Sequence, residues 1–126
     1  VKVDLLVRGN CSLVPSLPEL GGNLRVNAII DRYLEHSRIL IFANGVDLEH
    51  LGVGEEDGSY HDYKVFIGSA DWMPRNLDHR IEVYSPVFDI DIKREARLVV
   101  EQGMRNNYNS FRSQAELYKH YKAVEK

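Results

Sequence analysis

One cysteine, Cys11, stands in 126 residues. It excludes an intrachain disulfide and a Cys-rich zinc site, makes a reducing compartment the default, and reads best as a small buried apolar residue. No apolar run approaches the ~20 residues that a membrane helix needs, and the N-terminus lacks a signal-peptide pattern; the expectation is a soluble chain. A Gly-rich P-loop, a dinucleotide fingerprint and the kinase motifs are also missing, so phosphoryl chemistry here would not use the common nucleotide folds. Lysine is scarce: Lys2 and Lys64 are the only two before position 93. Between Val46 and Asp62 neither Lys nor Arg occurs.

What is present suits one domain, since 44% hydrophobic residues can build a core without disulfides. The formal net charge of −3 argues at first against a polyanionic partner. Its distribution reverses that reading. The acidic loop 46–62 holds Asp47, Glu49, Glu55, Glu56, Asp57 and Asp62, a local −6 that leaves +3 over the remainder. A locally basic cleft is compatible with an acidic total.

The chain opens directly on the apolar run around Val3–Val7, which predicts a buried strand of parallel type and suggests that residues before Val1 have been cut away. Asn10 to Asn23, with Pro15, Pro18, Gly21 and Gly22, predicts a loop. Leu24–Ile30 predicts a strand, with a short helix as the alternative, and Ile39–Ala43 a third strand. The acidic loop leads to a fourth, Tyr63–Ile67, so the two form a long hairpin. Low apolar content predicts mobility in that loop. Arg80–Tyr84 predicts a short fifth strand stopped by Pro86. Asp89 or Asp91 can cap a helix running to about Gln102, with Ile92, Ala96 and Val99 on its buried face and Gly103 as its stop. A last helix is expected from Ser113, which forms a capping box with Glu116. The fold class is α/β, with crossover helices partly outside the chain.

The chemistry concentrates between Arg32 and Asp71. His36 and Arg38, two apart before an apolar strand, share a face. The run Val65–Ile67 ends in Gly68-Ser69-Ala70-Asp71, small residues that admit a ligand to the backbone. Arg8, Arg25, Arg32, Arg38, Arg75 and Arg80 lie near strand ends, and the planar fork of Arg suits phosphate. The bland alternative pairs them with Asp31, Glu35, Asp78 and Glu82. His36 can be a nucleophile, an acid or base, or a satisfied core histidine; an Arg neighbour and a Gly-Ser-x-Asp turn opposite favour phosphoryl chemistry. His50 and His61 fit no familiar metal pattern, His79 and His120 show no special context, and Trp72 reads as a core or rim aromatic.

The strings V-D-L-L-V-R-G-x-C-S-L, N-L-R-V, R-Y-L-E-H-S-R, F-A-N-G and I-G-S-A-D-W-M-P-R-N-L-D-x-R-I-E-V, in order from Val3 to Pro86, closely resemble the C-terminal domain of bacterial polyphosphate kinase of the first type. The H-x-R and G-S-x-D pair is in turn similar to the H-x-K and G-S-x-N signature of the phospholipase D superfamily, with Arg38 in place of Lys and Asp71 in place of Asn. This resemblance implies a phospholipase D-like mixed sheet flanked by helices, with residues 1–126 as a single C-terminal catalytic domain. It implies reversible transfer of the terminal phosphate of ATP to polyphosphate through a phosphohistidine on a first phospholipase D-like domain absent here. His36 would then be the second histidine of the pair, catalytic with Arg38, while Arg8, His36, Ser69, Asp71 and Arg80 would contact ATP or phosphate. Mg2+ would arrive with ATP on ligands outside this chain. Implied partners are ATP, ADP, polyphosphate, the N-terminal and first phospholipase D-like domains, and further copies of the parent, without nucleic acid. The implied location is the cytoplasm, with peripheral membrane association. One departure is the long acidic connection, where the family usually has a short turn. A phosphodiesterase half-site and a non-catalytic anion-binding or dimerisation module stay open as alternatives.

Overall fold

The structure is a computed structural model and describes residues 1–9, 22–30, 32, 35–48 and 62–105, together with the backbone of 110–111. Cys11, His50, His61, His120, most of the first loop, positions 49–61 of the acidic connection and the helix expected from Ser113 lie outside the described residues. The expected α/β class holds. In chain order the elements are β1 (Val3–Arg8), β2 (Leu24–Ile29), β3 (Ile39–Phe42), β4 (Lys64–Gly68), α1 (Pro74–Leu77), β5 (Tyr84–Val87), α2 (Ile90–Arg105) and β6 (Ser110–Phe111). They group into two units, one of Val1–His36 with Glu101–Lys126 and one of Ser37–Val100.

In the first unit, β1 and β2 run parallel from Val3↔Leu24 to Arg8↔Ile29, and β6 pairs antiparallel with β2. The parallel strand expected at the start is therefore present. It is the edge of a three-stranded mixed sheet, ordered β1-β2-β6, and so is exposed at Val3 and Asp4 and only half-buried from Leu5 to Val7. β2 is central. Its neighbours Val26 and Asn27 point to opposite faces and are both buried. The Asn27 amide is satisfied by donating to the Met104 carbonyl at 2.7 Å. Gly103 is not the helix stop that its residue type suggests, because α2 continues to Arg105. A Cβ at position 103 would lie 2.3 Å from Leu6 Cδ2 and 3.3 Å from Ile29 Cδ1, so the helix interior carries glycine where it approaches the sheet closely.

The second unit is an antiparallel meander, β3-β4-β5, with Ile41↔Val65 and Val65↔Val87 in register. Alternation puts these three on one face, where Tyr63, Val65, Val87 and Ala96 form the buried cluster against Ile39, Ile41 and Ile90. An Asn-Gly turn ends β3: Asn44 and Gly45 have φ of 51° and 89°, and Val46 N–H closes on the Ala43 carbonyl at 2.9 Å. Positive φ at both central positions is what a type I′ turn requires. The fifth strand lies further along than the sequence suggests, beginning at Tyr84 and containing Pro86. β5 is an edge strand, where a missing N–H is tolerated. The opposite face of the meander carries an open apolar groove of about 450 Å³ lined by Leu40, Phe42, Phe66, Trp72, Leu77 and Tyr84. Trp72, 70% exposed, is a rim aromatic.

Asp89 is the cap of α2, accepting from the N–H groups of Asp91 and Ile92 at 2.9 and 3.0 Å. The buried face of the helix differs from the apolar stripe. Ala96 is buried as expected, but Ile92 and Val99 are 52% and 45% exposed, and the residues buried beside Ala96 are Lys93 and Arg97. Their stems fill the core while their heads meet carbonyls: Lys93 Nζ donates to Tyr63 O at 3.3 Å, and Arg97 Nη2 to Leu48 O at 2.8 Å. The Lys93 head also lies 5.6 Å from the Tyr63 ring centroid.

Candidate functional site

The hairpin register sets the site of the second unit. Because Ile39 pairs with Ile67, the residues entering β3 and those leaving β4 are at the same end of the sheet, and Gly68 N–H extends the ladder to the Arg38 carbonyl at 3.0 Å. Arg38 and Asp71, 33 positions apart in sequence, meet there. Arg38 Nε and Nη2 both donate to Asp71 Oδ1, at 3.0 and 2.7 Å, with side chains 18% and 24% exposed. Such a pair fixes the guanidinium plane and offsets part of its charge.

Side chains from the segment that follows hold the Gly68-Ser69-Ala70-Asp71 turn. The Ser69 hydroxyl donates to the Glu82 carboxylate and accepts from Val83 N–H at 3.2 Å, so its single hydrogen is directed at Glu82. Tyr84 OH donates to the Ala70 carbonyl at 3.0 Å and accepts from Trp72 Nε1 at 2.8 Å. Asn76 Nδ2 donates to the Asp71 carbonyl at 3.2 Å. Gly68 faces the Tyr84 ring, and a Cβ there would lie 2.2 Å from Cε1. At Gly68 the absent side chain makes room for the Tyr84 ring, not for a ligand as the sequence suggests.

Arg80 does not begin a strand. It is exposed, four residues before β5, and among the described residues forms no ion pair with Asp78 or Glu82. In the first unit, exposed Arg8 at the end of β1 donates through Nη1 to the Glu35 carbonyl at 3.3 Å, which places it beside the backbone leading into exposed His36. Arg25 faces its register partner Asp4 and donates to both carboxylate oxygens, at 2.6 and 2.5 Å. That cross-strand pair is exposed and is a surface contact. Glu82, Asn76 and Tyr84 were not singled out as site residues by sequence. Tyr84 alone had a detectable signal, an aromatic on the strand following a Gly-ended strand. No group of three or more His, Cys, Asp or Glu among the described residues could hold a metal ion.

The whole chain, residues 1–126, matches the family described as Polyphosphate kinase C-terminal domain 2. The polyphosphate kinase of Vibrio vulnificus (strain YJ016) is 40% identical, over 100% of this chain and 19% of its own length. That of Escherichia coli (strain K12) is 44% identical, over 80% of this chain and 12% of its own. The crystal structure of polyphosphate kinase from Porphyromonas gingivalis superposes with a TM-score of 0.71 at 43% identity, over 89% of this chain and 15% of that one. The chain thus spans about a fifth or less of the length of these relatives. With every residue inside the matched region, the chain belongs to the polyphosphate kinase C-terminal domain 2 family.

Proposed function

We propose that this domain works within a polyphosphate kinase, as half of a site that moves the terminal phosphate of ATP to polyphosphate and back. The observation that carries the reading is the meeting of Arg38 with Asp71 at the strand ends that His36-x-Arg38 enters and Gly68-Ser69-x-Asp71 leaves. A phosphoryl group in flight spreads charge over its oxygens, so the protein's task is positioning and positive charge. A guanidinium held in plane by a carboxylate supplies both. His36 acts as acid, base or ligand toward the reacting phosphate, Arg8 and Arg80 as phosphate ligands, and Ser69 and Asp71 as the turn against which Arg38 is set. A nitrogen-bound phosphate is itself an activated donor, so a phosphohistidine on a partner domain lets the transfer run in both directions. The rest of the site and the ligands of the Mg2+ that accompanies ATP come from other domains of the full-length protein, which works as a homo-oligomer. The proposed setting is the cytoplasm, with peripheral association with the membrane. No helix of the described residues is long and apolar enough to cross a membrane.

The test is an assay of the full-length protein for ATP-dependent polyphosphate synthesis and for ADP-dependent polyphosphate consumption. Both activities are expected. Hydrolysis of phosphodiesters with neither activity would overturn the reading.

A further inference from the structure

Asn76 is 1% exposed on α1, five residues beyond Asp71. Its two amide ends have unequal fates. Nδ2 donates to the Asp71 carbonyl at 3.2 Å, whereas Oδ1 is buried with no hydrogen-bond partner among the described residues. The orientation is dictated by what the amide faces, since a carbonyl oxygen can be met only by the NH2 end. A buried acceptor without a partner lowers stability, and an apolar side chain of similar volume would avoid that loss. The donor end must therefore supply something that an apolar residue cannot.

What it supplies is a fixed Asp71 backbone. The Asp71 carbonyl accepts from Met73 N–H at 2.8 Å as well as from Asn76, and Asn76 N–H returns to the Met73 carbonyl at 2.9 Å. These bonds close residues 71–76 on themselves. The Asp71 side chain leaves this clamp to hold both Nε and Nη2 of Arg38. We infer that Asn76 is a positioning residue, which sets the Asp71 carboxylate and through it the Arg38 guanidinium for the phosphate. This rests on the proposed phosphoryl transfer for its effect on rate, but not for its geometry.

The test uses the full-length protein and two readouts. A crystal structure of Asn76→Ala reads position directly, whether or not the protein makes polyphosphate. Displacement of the Asp71 carboxylate from Arg38 by about 1 Å or more is expected, a misplacement large enough to slow a positioned reaction. An unmoved Arg38–Asp71 pair would overturn the inference. Kinetics supply the second readout, as a double-mutant cycle with Arg38→Ala at matched folded fraction. Asn76→Ala is expected to lower kcat/KM about tenfold in the wild-type background and to change it less than about twofold when Arg38 is already gone. Equal losses in both backgrounds would reduce Asn76 to general support of the fold and overturn the inference. Should Asn76→Ala fail to fold, Asn76→Ser, which keeps a polar group too short to reach the Asp71 carbonyl, carries the same comparisons. A wild-type protein without polyphosphate turnover would sink the proposed function, while the crystal structure would still decide the position of Asp71.

Discussion

Two N–H groups of Arg38, at Nε and Nη2, converge on a single oxygen of Asp71, at 3.0 and 2.7 Å. The guanidinium is thus oriented before any phosphate arrives. Lysine at position 38 would keep the charge and an ion pair with Asp71 but lose the plane. Arg38→Lys in the full-length protein is expected to lower kcat/KM for ATP about tenfold, with a stability change below about 1 kcal/mol. Steady-state kinetics with thermal unfolding measure both, and an unchanged rate would leave the pair a purely structural contact.

His36 is exposed, so its removal opens no cavity. His36→Ala in the full-length protein is expected to cut turnover roughly 100-fold or more, the usual worth of a catalytic acid or base. Its unfolding curve should overlay the wild type. Near-normal turnover would return His36 to a surface residue.

The exposure of Arg80, and the absence of an ion pair to Asp78 or Glu82, separate binding from stability at that position. Arg80→Lys should leave stability within about 0.5 kcal/mol. If Arg80 grips phosphate with both arms of its fork, kcat/KM for ATP falls by the equivalent of about 1.5–3 kcal/mol. A change below about threefold, under half the 1.4 kcal/mol that makes a factor of ten, would remove Arg80 from the site.

Gly68→Ala tests the ring that covers the turn. The new methyl would meet Tyr84 Cε1 at 2.2 Å, and the ring is tied by hydrogen bonds to Ala70 and Trp72, so it cannot simply swing aside. The expected loss is about 1–3 kcal/mol, the range for overpacking. Denaturant unfolding of Gly68→Ala and of the double variant Gly68→Ala, Tyr84→Ala checks it, since deleting the ring should erase most of the methyl's effect.

Removal of Gly52 to Ser59 is expected to leave polyphosphate synthesis almost unchanged, because a connection carrying a net −6 would repel a polyanion and is better placed away from it. Activity assays at matched stability decide the matter. A large drop would make the segment a participant in the reaction.

Much of this was legible because hydrophobic period and turn chemistry are local. Strands β1 to β4 and the Asp89 cap follow from neighbours in sequence. The nearness of the His36-x-Arg38 and Gly68-Ser69-x-Asp71 motifs followed from a hairpin whose register brings them to one end, whereas the Arg38–Asp71 ion pair was not among the pairings the sequence suggested. The misreadings share a cause, which is tertiary context overriding a residue's usual habit. Pro86 reads as a strand stop but sits on an edge, where it loses no ladder bond. Gly103 reads as a helix stop but marks close packing on Leu6. The buried face of α2 reads as Ile92, Ala96 and Val99, but the two carbonyls beneath the helix make Lys93 and Arg97 interior in place of Ile92 and Val99. The buried amide of Asn76 carries no periodic signal at all.

Those two cations have a further consequence for the energy landscape of the second unit. Lys93 and Arg97 are one turn apart on α2, and the carbonyls they hold, at Leu48 near the start of the acidic connection and at Tyr63 just past its end, lie 15 positions apart in sequence. Opening that single helical turn would release the segment that follows the Asn-Gly turn and the residue that leads into β4 in the same event. The helix, the segment around Leu48 and the start of β4 should therefore exchange their amide protons as one cooperative unit.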